Sequence, residues 1–167
     1  VKKIKQWRTH GLKTAVVSSS RNCQHVLETA GIDNLFDVRI DGKIADEKNI
    51  KGKPEPDIFI EAAKALGTKP EACMLFEDAI SGVQAGTKGV FALVIGVDRT
   101  GNEKALYENG ADRVIKGLDE IDLSDEHKIA PYFNQPLASG FTPTVFGMIS
   151  GTKPALFLSV KRSSGHD

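Results

Sequence analysis

The chain has 167 residues, and 22 lysines and arginines balance 22 aspartates and glutamates, so it carries no formal net charge. This length suits one domain with a real core, and 40% hydrophobic with 26% charged residues describes a folded globular protein rather than a disordered one. Zero net charge removes the global electrostatic pull toward nucleic acid or an anionic membrane, so neither is expected as a partner. No apolar stretch reaches the roughly 18 residues of a membrane span. VKKIKQW at the start is not followed by the apolar run of a signal peptide. Cys23 and Cys73 lack the close spacing of a zinc or redox pair. They read as buried thiols in a reducing compartment, which makes the cytoplasm the expected location.

In chain order, residues 1–10 place Ile4 and Trp7 at helical spacing before Gly11 and read as the last turns of a helix. TAVVS at 14–18 is a short buried strand running into three serines. A helix is expected from about 22 to 30, ended by Gly31. LFDVRI at 35–40 mixes a turn with a short strand, and DGKIADEKNIKG at 41–52 reads as a loop. A helix after Pro56 buries Ile58, Phe59, Ala62, Ala63 and Leu66 and closes at Gly67. CMLF at 73–76 is a strand, 79–89 a helix rich in small residues, and FALVIGV at 91–97 the next strand. A helix at 102–109 and a short strand in ADRVI finish the pattern. Beyond residue 122 the character changes. The segment 123–167 is an extension or linker whose apolar runs, 145–149 and ALFLSV at 155–160, are candidates to join the sheet.

Alternating apolar strands and helices argue a Rossmann-like α/β fold: a three-layer parallel sheet with helices on both faces. Ligands in such sheets sit at the C-terminal strand ends, and two strand endings are chemically unusual here. The first is MLFEDAISG, where an apolar strand stops at Glu77 and Asp78. Asp78 there is a candidate helix cap. The alternative is a hard-cation site, with one acid ligating Mg²⁺ and its neighbour holding a coordinated water. The second ending is Ser18, followed by Ser19, Ser20 and Asn22, a set that caps a helix or receives a phosphate. In KGKPEP, Lys53 or Lys51 could hold an ammonium against a phosphate, and local chemistry does not separate the two. The four histidines, His10, His25, His127 and His166, have no partners at metal spacing and read as surface or helix positions. Neither a G-x-S-x-G elbow nor a P-loop is present.

VVSSSRN at 16–22, KGKPEPDIF at 51–59 and LFEDAISGVQAG at 75–86, taken in that order, resemble the haloacid dehalogenase superfamily, and most closely its beta-phosphoglucomutase-like phosphatases and mutases. The resemblance covers residues 1–120 and implies Mg²⁺-dependent phosphoryl transfer on a small phosphorylated metabolite such as a sugar phosphate. By it, Ser18 is the second-motif hydroxyl and Ser19, Ser20 and Asn22 line the phosphate pocket. Lys53, selected over Lys51, becomes the charge-stabilising lysine. Asp78 is the Mg²⁺ ligand, with Glu77 as its water-mediated companion.

The family's first motif, D-x-D-G/T-x, does not precede the serines, and neither does the helical cap that selects substrate. DGKIAD at 41–46 lies after the second motif. Residues 1–122 are therefore expected to be a core truncated at its N-terminus. The expectation is a fragment of a longer enzyme, inactive alone because its nucleophilic aspartate is missing. The alternative is a non-catalytic phosphate-binding or protein-interaction module. The vacant strand position lies between the serine strand and the acid strand, and ALFLSV is one candidate to fill it.

Overall fold

The computed structural model describes residues 1–123 together with the backbone of 155–159. The apolar run 145–149, His127 and His166 lie outside the described residues. Helix α1 (Lys2–Thr9) leads into strand β1 (Lys13–Val17), helix α2 (Cys23–Thr29) and strand β2 (Val38–Ile40). Helices α3 (Gly42–Glu47) and α4 (Asp57–Ala65) then precede strand β3 (Cys73–Glu77). Helix α5 (Ile80–Lys88), strand β4 (Leu93–Val97), helix α6 (Glu103–Glu108) and strand β5 (Arg113–Ile115) follow. The last described element is strand β6 (Ala155–Ser159). The six strands form one sheet in the order β2-β1-β6-β3-β4-β5, with every pairing parallel. The expected fold class is the one found.

The sheet is covered on both faces because its strands are apolar on both. Residues alternate in β3: Met74 and Phe76 join the cluster that holds Ile4 and Trp7 of α1, whereas Cys73 and Leu75 face Ile58, Phe59 and Ala62 of α4. Trp7 stacks on Phe76 with ring centroids 5.6 Å apart. The register locks at the strand starts through acids that accept backbone N–H groups. Asp37 Oδ2 takes the Thr14 N–H at 2.8 Å, and Asp112 Oδ2 takes that of Val94 at the same distance.

One feature differs from the reading of the sequence, and a second decides between its alternatives. Residues 41–52 are not all loop, because α3 occupies Gly42–Glu47. Its start is set by Asp41, whose carboxylate is almost wholly buried and accepts the N–H groups of Lys43 and Ile44 at 3.1 Å each. That cap satisfies donors a short helix would otherwise leave open. It was hidden because the apolar residues of this six-residue helix are too few to reveal a period. The second feature is β6. It pairs with β1 from Lys13↔Ala155 to Val17↔Ser159 and with β3 from Cys73↔Ala155 to Phe76↔Leu158. The position between the serine strand and the acid strand is thus held by ALFLS. No backbone ladder joins β1 to β3 except through β6.

Candidate active site at the C-terminal sheet edge

Ser18, Glu77 and Asp78 all follow or end strands whose C-termini point to one edge, as parallel pairing through β6 requires. Ser18 is buried, and its N–H donates to the Ile40 carbonyl, which extends the β1–β2 ladder by one bond. Its Oγ accepts the Ser20 N–H at 3.1 Å, and Ser20 Oγ accepts the Asn22 N–H at 3.2 Å. Two serines thereby shape the turn from β1 into α2 through their own side chains. Ser19 and Asn22 are exposed and Ser20 is half-buried. Helix α3 braces this turn: the Gly42 N–H donates to the Ser20 carbonyl at 3.2 Å. A methyl group at Gly42 would come within 2.6 Å of the Ser19 carbonyl oxygen, so the backbones meet only because glycine lacks one.

Glu77 ends β3 with its side chain only 1% exposed, and Lys53 reaches it from the loop before α4. Lys53 Nζ lies 2.6 Å from Glu77 Oε2, and Lys53 itself is 11% exposed. The same ammonium sits 5.0 Å from the centre of the Phe59 ring, so its charge meets a carboxylate and an aromatic face. Glu77 Oε1 accepts the N–H groups of Asp78 and Ala79 at 3.1 and 3.0 Å. Glu77 thereby orders the turn that leads from β3 into α5, whose N-cap is Ala79. Asp78, half-buried, lies at the same edge.

The sequence reading missed one residue on which this arrangement depends. Gly82, one turn into α5, faces the Glu77 carboxylate so closely that any β-carbon there would overlap it. The available signal was a glycine inside a helix, where it costs helix stability relative to alanine and so asks for a packing reason.

The donor set bears on a divalent cation. Both Glu77 oxygens are engaged by Lys53 and two backbone N–H groups. Among the described residues, no group of three or more His, Cys, Asp or Glu side chains converges as a metal cage. Mg²⁺ asks for about six oxygens and commonly takes one or two carboxylates, with phosphate and water completing the shell.

Comparison with known proteins gives the family. A family model described as haloacid dehalogenase-like hydrolase matches residues 1–89, more than half of the chain. The chain belongs to this family. The haloacid dehalogenase-like match includes the serine turn, Lys53 and the acid pair, the three stretches read from the sequence.

Among curated relatives, a beta-phosphoglucomutase of Mycobacterium bovis is 48% identical over 114 residues, which cover 66% of this chain and 44% of that protein. A trehalose-phosphate phosphatase of Mycobacterium leprae is 34% identical over 122 residues, covering 71% of this chain and 27% of the relative. Among solved structures, beta-phosphoglucomutase from Clostridium difficile superposes with a TM-score of 0.67 at 26% identity, over 80% of this chain and 56% of that one. The chain spans less than half the length of the curated relatives cited here. Among the described residues, no helix is long and apolar enough to cross a membrane.

Proposed function

We propose that the complete protein carries out Mg²⁺-dependent phosphoryl transfer on a sugar phosphate, as a phosphatase or a beta-phosphoglucomutase. The observation that carries this reading is the buried Lys53–Glu77 pair at the strand edge that also holds Ser18 and Asp78. A transferring phosphoryl group is mostly stabilised by placed charge and hydrogen bonds, because the protein has little covalent chemistry to add. In this reading Lys53 supplies the positive charge, held at a fixed height by Glu77. Ser18, its oxygen anchored by the Ser20 N–H, donates to a phosphoryl oxygen. Ser19, Ser20 and Asn22 contact the rest of the phosphate or a substrate hydroxyl. Asp78 is the direct Mg²⁺ ligand, and Glu77 orients it through water and backbone. When bound, the cation neutralises phosphoryl oxygens. A small phosphorylated partner follows from the phosphoryl-transfer reading, the neutral composition gives no pull toward nucleic acid, and the two buried free thiols fit a reducing cytoplasm.

A second reading, a phosphate-binding or protein-interaction module without turnover, is favoured by β6. The strand between the serine and acid strands reads ALFLS and brings no carboxylate to attack phosphorus. For the chain by itself, little or no turnover is the expectation. Incubation with p-nitrophenyl phosphate and Mg²⁺ tests it: the expected rate equals the blank, and a rate that Asp78→Ala abolishes would overturn inactivity. Calorimetry with inorganic phosphate and Mg²⁺ tests the site itself. Binding that Lys53→Ala removes supports phosphate recognition, whereas no binding to the intact chain overturns both readings.

A further inference from the structure

A cleft of about 250 Å³ opens at the ends of β3, β4 and β5, walled by Phe76, Asp78, Val97, Arg99, Lys116 and Leu118. Phe76 and Val97 are buried and Leu118 is half-buried, so the base is apolar, while the exposed Arg99 and Lys116 stand at the rim. Neither cation makes an ion pair among the described residues, and two carboxylates close to them in sequence accept backbone N–H groups. Asp98 Oδ1 accepts the N–H groups of Thr100, Gly101 and Asn102 at 3.1, 2.7 and 2.8 Å. Glu120 Oε1 accepts those of Lys116 and Gly117 at 2.7 and 3.1 Å. Both acids pin the backbone of the loops that carry Arg99 and Lys116. Among the described residues both cations are exposed.

The geometry points to a second ligand site here, for a small phosphate monoester with a hydroxylated body. Its dianion would lie between Arg99 and Lys116, where a planar guanidinium and an ammonium suit phosphate oxygens. Its hydroxyl would donate to Asp78, and its carbon skeleton would rest on Phe76, Val97 and Leu118. An acid in the wall disfavours a bare anion and favours a ligand that pairs the anion with a donor, so inorganic phosphate should bind more weakly than a phosphorylated polyol. Asp119, beside Gly117, and the exposure of both cations limit the affinity to a dissociation constant on the order of 1 mM. This site uses cations that the phosphoryl-transfer reading does not and shares only Asp78 with it, so ligand and Mg²⁺ would compete for that carboxylate; it does not rest on that reading.

The test is a titration of the full chain with glycerol 3-phosphate, followed by amide chemical shifts. Saturating shifts at Val97, Arg99, Lys116 and Gly117 are expected. In the Arg99→Ala/Lys116→Ala double variant the apparent affinity should fall at least about tenfold, a loss of about 1.4 kcal/mol. Both side chains are exposed, so the double variant should keep its folded spectrum. Shifts confined to residues 18–22 and Lys53 overturn the cleft and leave the phosphoryl reading standing. Shifts in the cleft with none at 18–22 support the cleft and count against that reading, and shifts at neither overturn both. Cleft shifts that persist undiminished in the double variant overturn the assigned roles of Arg99 and Lys116.

Discussion

Lys53 and Glu77 form a buried ion pair, 2.6 Å apart, across 24 positions of sequence. Removing one partner strands the other charge in a site that water barely reaches, and such losses run to about 3–5 kcal/mol. Lys53→Met and Glu77→Gln are therefore each expected to lower unfolding stability in urea by about that amount. The double variant Lys53→Met/Glu77→Leu should recover a large part of it, because no uncompensated charge remains. Additive losses in this cycle would show that the pair is not coupled as its geometry requires.

Gly82→Ala provides an independent check on the same carboxylate. Helix propensity alone favours alanine over glycine by about 1 kcal/mol. The methyl group would overlap the Glu77 carboxylate, whose two oxygens are held by three donors. Overpacking against a group that cannot yield costs about 1–3 kcal/mol. A net loss of stability is expected, along with weaker phosphate binding as Lys53 loses its anchor. A stabilised variant would mean that Glu77 moves aside freely.

Strand β6 holds the two halves of the sheet at their spacing, so a proline within it should act far from its own position. Phe157 is in register with Ala15 on one side and Leu75 on the other. Phe157→Pro removes a backbone donor from a strand paired on both edges, at an expected cost of about 3 kcal/mol or more. Hydrogen exchange should quicken at amides of both β1 and β3. Unchanged protection in those two strands would show that the ladder does not depend on β6.

Asp37 sets part of the acid limit of stability. Burial pushes its carboxyl up, but Arg8 at 2.7 Å, the Thr14 N–H and the Thr14 hydroxyl together hold it below its usual value. A carboxyl lowered on folding contributes stability that is present above its unfolded pKa of about 3.9 and is lost as pH falls through the folded value. Asp37→Asn should therefore be less stable than the parent at pH 7, with the gap closing below about pH 4. A gap that stays constant with pH would assign the loss to hydrogen bonding alone.

The sequence by itself determined the local chemistry. Apolar runs ending in serines or acids read as buried parallel strands with a reactive edge, because the period of burial and the residues that end it lie within one segment. Ser18, Glu77 and Asp78 stood out as candidates for the same reason, whereas Lys53 was singled out from Lys51 only by resemblance. Tertiary structure decided what depends on distant partners. It made Glu77 the anchor of both Lys53 and the turn into α5, because its two oxygens converge on donors from two segments. It made Gly82 indispensable, since the atom it avoids belongs to another element. It seated β6 between β1 and β3, where two unpaired strand edges supply hydrogen bonds that no local pattern encodes.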